Sequence, residues 1–243
     1  MWPQISFYGL IIPTFYLIIS LSCSFIIYLL SKKLDANPNF NRNVAFNLVS
    51  LLLISGFIGG RILHVIYEEP FYYLSNPLLI FKFWNGGFVY FGGFMTALMT
   101  GYLYLKKNNQ PFFKWADFLT PYFSLMYVLG RIGCFLEGCC YGRYCEWPWA
   151  IDNKHPTQLY MMFTELVLFL FLQKRKKLNP SGKLFLLWIL LHCLSRFIIE
   201  FFRNDDRGKT LFNLISISQL LSLIFIFIAA YVLNKNLKSS NDK

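Results

Sequence analysis

Seven stretches of this chain are apolar for 16 to 23 residues at a time, with only polar loops between them. They fall at 8–30, 44–66, 88–105, 115–135, 157–172, 184–202 and 211–233. A helix needs about 20 such residues to cross the hydrocarbon core of a bilayer. Blocks of this length cannot be the single apolar face of a water-soluble helix. The expected fold is therefore an all-α integral membrane protein with seven transmembrane helices. Nothing remains for a soluble domain, so residues 1–243 read as one membrane domain, with 234–243 a polar tail. Only 14% of the residues are charged, against about 25% in soluble proteins. There is no internal repeat. The opening "MWPQISFYG" lacks the basic start and small-residue cleavage site of a removable signal, so the first segment is expected to be retained.

Lysine and arginine set the expected orientation. Fourteen of the 23 lie in the loops after the first, third and fifth segments and in the tail. The alternate loops carry Glu68, Glu69, Glu146, Asp152, Asp205 and Asp206. The first set reads as cytoplasmic, which puts the N-terminus outside and the C-terminus inside. The net charge of +11 is then topology and contact with anionic lipid. Nucleic-acid binding is not needed to explain it.

Charges inside the apolar segments carry the functional signal. Arg61, Arg131 and Arg196 are the basic ones, and Glu137, Glu165 and Glu200 are their acidic counterparts in or beside the segments. A charge at the centre of a spanning helix costs roughly 2.5–3.5 kcal/mol, and none of these is needed to make a helix. In the expected topology Arg61, Arg131, Arg196 and Glu200 come late in outward-going helices. Tyr8, the glycine pairs of "WNGGFVYFGGF" and His155 begin inward-going ones. All would fall toward the outer leaflet; Glu165 sits deeper. Two readings follow: structural arginines that snorkel or pair, or a polar cavity built to hold an anion. "HCLSRFIIEFFR" is the sharpest case. His192, Arg196, Glu200 and Arg203 recur at spacings of four, four and three, which is one helical face. A guanidinium fork suits phosphate, and His192 can carry a proton.

"GRIGCFLEGCCYG", residues 130–142, adds Cys134, Cys139 and Cys140 beside Arg131 and Glu137, with Cys145 close behind. The spacing is not the paired C-x2-C of a zinc site, and no metal is expected. An exported compartment permits disulfides, and Cys139 or Cys140 with Cys145 would close a loop. Small buried unreactive thiols are the plainer alternative. Cys23 and Cys193 read as packing or lipid-facing residues.

Six segments together resemble the bacterial prolipoprotein diacylglyceryl transferases. They are "FYGL" (Tyr8, Gly9), "GGRILHVIY" (59–67), "WNGGF…GG" (84–93), "ADFLTPYFSLMYVLGRIG" with Gly142, "HPTQLY" (155–160) and "RFIIEFFR" (196–203). They occur in that family's order and cover nearly the whole chain. The resemblance implies an enzyme at the outer face of the bacterial inner membrane. It would transfer the diacylglyceryl group of phosphatidylglycerol to the lipobox cysteine of a preprolipoprotein, with no cofactor. By motif position, Arg131 and Arg196 would bind phosphate, with Glu200 and Arg203 in support. Tyr8, Arg61, Gly92, Gly93, Gly142 and His155 would help bind substrate.

The chain also departs from that pattern. Phe91 stands where the family usually has a histidine, Cys134 where it has asparagine, and Cys139 where it has glutamate. His192 replaces a tyrosine. His192 or Glu137 is then expected to supply the catalytic base. Alternatives are a divergent paralogue with another acceptor, or a non-enzymatic protein that binds or transports lipid or anions. Transporters usually show repeats and helices broken at mid-membrane, which favours the enzyme.

Overall fold

The computed structural model of the chain describes residues 4–7, 10–175, 182–204 and 215–241. Two short antiparallel strands, β1 (Gln4–Phe7) and β2 (Leu10–Pro13), open it. Among the described residues, everything after them is helix, turn and loop. The long helices are α1 (Thr14–Asp35), α2 (Arg42–Leu63), α4 (Tyr90–Lys107), α5 (Phe112–Glu137), α6 (Thr157–Lys174), α7 (Lys183–Ile199) and α8 (Ile217–Asn241), with a short α3 (Pro70–Ser75). Each long helix lies on one of the apolar segments. The clearest difference is at the start: the first apolar run is strand through Pro13, and helix begins only at Thr14. Proline fixes φ and has no amide hydrogen, so Pro13 suits the end of a strand leading into a helix.

Five spans among the described residues are long and apolar enough to cross a membrane: Thr14–Asp35, Arg42–Glu68, Phe112–Glu137, Lys183–Phe202 and Ile217–Lys235. The chain is a multi-pass membrane protein. Its outward faces agree. Phe57, Ile58 and Ile62 on α2, Leu194 and Ile198 on α7, and Phe227, Ile228 and Tyr231 on α8 are all exposed. Rows of this size would be unfavourable in water.

The helix ends are set by local chemistry. The Asn41 side chain accepts from the amides of Asn43 (2.9 Å) and Val44 (3.2 Å) and so caps α2. Lys32 and Lys33 end α1, and Lys106 and Lys107 end α4, where cations meet the negative end of the helix dipole. The Asp117 carboxylate accepts from the amides of Gly182 (2.6 Å) and Phe185 (2.8 Å), and so anchors the start of α7.

The chain packs as two units: Ser31–Trp115, and Met1–Leu30 with Ala116–Lys243. The first is organised by α2 against α4. A Cβ on Gly93 would press on the Gly56 carbonyl, and one on Gly92 would meet Leu63. These glycines let two helix backbones touch, as small residues do at membrane helix seams. In the second unit α7 packs on α6 and α8. It buries Leu184, Phe185, Leu186, Trp188, Ile189, His192, Cys193, Arg196 and Ile199.

Candidate active site

The polar stripe predicted on α7 is present and buried. Arg196 and His192 are each 5% exposed, and Arg203 and Glu200 are also buried. Glu200 is the hub. Its Oε2 lies 2.7 Å from Nη1 of Arg196 and 3.6 Å from Nε of Arg203. Its Oε1 accepts from the Ser216 hydroxyl at 3.1 Å. The 3-10 turn Glu200–Phe202 at the end of α7 keeps Arg203 near Glu200.

His192, one turn earlier, turns to a different carboxylate. Its Nδ1 lies 2.7 Å from Oε2 of Glu165 on α6. Trp188 donates from Nε1 to the other oxygen at 2.6 Å and stacks on the His192 ring, with centroids 5.2 Å apart. Glu165, which its expected depth set apart from the cluster, is thus part of it. A carboxylate on Nδ1 favours the tautomer with the proton there and leaves Nε2 as the basic nitrogen.

The C-terminal end of α5 supplies the third arginine. Arg131 donates from Nη2 to the Tyr127 hydroxyl at 2.7 Å, and its guanidinium lies over that ring. Tyr127 also meets the edge of His192, at 4.7 Å between centroids, and its hydroxyl donates to the sulfur of Met161 at 3.5 Å. Nη1 of Arg196 approaches the same sulfur at 3.7 Å. Tyr127 and Met161 therefore join Arg131 to the α7 stripe. Neither was singled out in the sequence, although Tyr127 stands four residues before Arg131, the spacing that puts two side chains on one face. Arg131 has no carboxylate partner among the described residues. Glu137, six residues on, makes no hydrogen bond or ion pair among them either.

Beyond α5 the chain crosses itself. The Gly142 amide donates to the His155 carbonyl (2.8 Å), and that of Arg143 to the Phe202 carbonyl (2.8 Å). A Cβ on Gly142 would collide with the Phe202 carbonyl and with His155, so a glycine is required there. His155 has Nδ1 3.0 Å from the Tyr160 hydroxyl. At the head of α6, Thr157 donates to the Cys140 carbonyl (2.6 Å) and Gln158 to that of Cys139 (2.5 Å).

All six cysteines are free. The pairing of Cys139 or Cys140 with Cys145 that an exported compartment permits is not formed, in line with the plainer alternative of free thiols. Cys139 and Cys140 turn instead toward Cys134, and the three Sγ atoms lie within 4.8 Å of one another. This is the one group of thiols among the described residues that could hold a metal ion, although the linear spacing gives no such sign. The Cys140 thiol is pulled well below the usual range by hydrogen bonds from Cys134 and Cys139, assisted by Arg203 and Arg131. Cys139 is pushed up by those same thiol contacts and by burial.

Three predicted site residues lie in the other unit. Arg61 is buried and spends its donors on backbone. Nε reaches the Ile80 carbonyl (3.1 Å), Nη1 those of Gly86 (2.5 Å) and Gly87 (3.2 Å), and Nη2 that of Leu79 (2.9 Å). It clamps the 79–87 loop. Beside it a cleft of about 680 Å³ is lined by His64, Glu68, Tyr73 and Lys82. Gly92 and Gly93 belong to the α2–α4 seam described above. Tyr8 lies outside the described residues.

The comparison that decides the family spans nearly the whole chain: the model of the family described as prolipoprotein diacylglyceryl transferase matches residues 3–234. The chain belongs to this family. Among similar proteins is the phosphatidylglycerol–prolipoprotein diacylglyceryl transferase of Clostridium tetani (strain Massachusetts / E88). It is 34% identical over 239 residues, covering 93% of this chain and 94% of that one. The protein of the same name from Aliivibrio salmonicida (strain LFI1238) is 35% identical over 242 residues, 90% of this chain and 84% of its own. That from Vibrio campbellii (strain ATCC BAA-1116) is 38% identical over 188 residues, 72% and 69%. As a prolipoprotein diacylglyceryl transferase family member, the chain still carries Phe91, Cys134 and Cys139 at the departures already noted. Phe91 is buried in the first turn of α4; it can move no proton.

Proposed function

We infer that this chain is a transferase that moves the diacylglyceryl group of phosphatidylglycerol to the lipobox cysteine of a preprolipoprotein. Family membership and the names of its relatives support the reaction class. One observation supports the assignment of roles: two guanidiniums, Arg196 and Arg203, share a single carboxylate, Glu200, while Arg131, joined to them through Tyr127 and Met161, has no carboxylate among the described residues. A half-buried guanidinium inside a spanning helix and without a counter-ion is costly unless an anion completes the site. A lipid phosphodiester is such an anion.

In this reading Arg131 and Arg196 hold the phosphate, while Glu200 fixes the forks of Arg196 and Arg203. The acceptor thiol has an ordinary pKa near 8.5 and must ionise. Nε2 of His192, oriented by Glu165, takes its proton. The thiolate sulfur attacks the glyceryl carbon that bears the phosphate oxygen. A carbon–sulfur bond forms as the carbon–oxygen bond breaks, and the electron pair leaves on glycerol phosphate. The arginines stabilise the charge that develops on that oxygen. His192 then releases its proton to water.

The site works at the outer leaflet of the bacterial inner membrane, where lipobox cysteines are exposed. All seven long helices cross, with the N-terminus outside and the tail in the cytoplasm. The lysine distribution supports this orientation. Assays of Arg131→Ala and Arg196→Ala with phosphatidylglycerol and a lipobox peptide test the assignment. Transfer should fall by about a hundredfold or more in each. Full turnover in well-folded forms of both would make the arginines structural.

A further inference from the structure

Three thiols that the transfer reaction does not use meet at the end of α5. The helix stops at Glu137, and Gly138 reverses the chain with φ of 81°. The amides of Gly138 and Cys139 both return to the Cys134 carbonyl, at 3.2 and 3.1 Å. Cys140 is left-handed, with φ of 65°, a conformation uncommon outside glycine. These turns bring Cys139 and Cys140 back over Cys134, and their sulfurs all lie within 4.8 Å of one another. Thr157 and Gln158 hold the carbonyls of the two later cysteines. Gln158 is fully buried, and its Oε1 has no hydrogen-bond partner among the described residues.

We propose that Cys134, Cys139 and Cys140 form a three-thiolate site for a single copper(I) ion. A metal–sulfur bond of about 2.3 Å in a planar three-coordinate complex puts the sulfurs about 4 Å apart, within the observed limit. The set is all sulfur, which selects a soft ion over magnesium, calcium or manganese. A closed structural zinc site takes four protein ligands, and the group offers three. Three thiolates around one monovalent cation leave two negative charges. Arg131 and Arg203, both close enough to act electrostatically on Cys140, balance them. The site does not depend on the transfer reaction, although it shares Arg131 with it.

The full-length protein in detergent, purified anaerobically, is titrated with copper(I) against a chromophoric copper(I) chelator. The wild type should withdraw one equivalent. Cys134→Ser, Cys139→Ser and Cys140→Ser should each bind at least tenfold more weakly, while Cys23→Ser and Cys145→Ser bind as the wild type does. A second measurement needs no variant: copper should protect Cys134, Cys139 and Cys140 from alkylation, and the chelator should restore it, as read by peptide mass mapping. No uptake by the wild type overturns the proposal. So does equal binding by the three variants, uptake of zinc but not copper, or a disulfide between two of these cysteines in freshly isolated protein.

Discussion

Arg131 donates to the hydroxyl of Tyr127 at 2.7 Å, one helical turn back on α5, and no carboxylate joins them among the described residues. The phenol orients the guanidinium without neutralising it, and leaves its remaining donors for an anion. Arg131→Lys keeps the charge but loses the fork, so it should recover only a small part of the activity lost in Arg131→Ala. Tyr127→Phe should lower transfer by about tenfold, with the apparent KM for phosphatidylglycerol rising, because orientation rather than charge is lost. Steady-state kinetics with varied lipid checks both.

Glu165 and His192 should act as one device. Glu165→Gln keeps the shape of the side chain but removes the charge that orients the imidazole. It should therefore cost nearly as much activity as His192→Gln, and the double variant should be little worse than either single one. Raising the pH supplies acceptor thiolate without a base, so the deficit of His192→Gln should shrink in alkaline buffer. A His192→Gln enzyme as active as wild type at every pH would move the proton transfer elsewhere, with Glu137 the next candidate.

Gly142 sits where three loops cross, and a methyl group there meets the Phe202 carbonyl. Gly142→Ala should destabilise the protein by about 1–3 kcal/mol, seen as a lower thermal midpoint in detergent. Activity should fall with it, because the crossing fixes the turn Glu200–Phe202 and Arg203 after it.

The orientation is checked in whole cells on a background lacking the native cysteines. A cysteine placed at Asp152 should react with an impermeant thiol reagent, and one placed at Lys107 should react only after permeabilisation. Outside labelling at position 107 would reverse the topology and remove the outer-leaflet site with it.

What the sequence made legible follows from period and length. Apolar runs announce helices because backbone groups in lipid must bond internally, and the spacing of His192, Arg196, Glu200 and Arg203 already defines a face. The partners of those residues were hidden because they depend on how α6 and α7 are set side by side. Nothing in a linear reading pairs His192 with Glu165, 27 positions away. Arg61 resembled the other membrane arginines until the loop carbonyls it clamps came into view. The thiol cluster was hidden for a different reason. Its spacing fits no metal motif, and only the reversal at Gly138 and the left-handed Cys140 bring the sulfurs together.

The central claim is that this chain forms a thioether on a protein cysteine while releasing glycerol phosphate. The most direct test incubates purified protein with phosphatidylglycerol and a lipobox peptide, and reads both products by mass spectrometry. The account predicts a peptide heavier by one diacylglyceryl group, attached at its cysteine, with one glycerol phosphate released for each. An unmodified peptide, with phosphatidylglycerol intact and the protein folded, would contradict it.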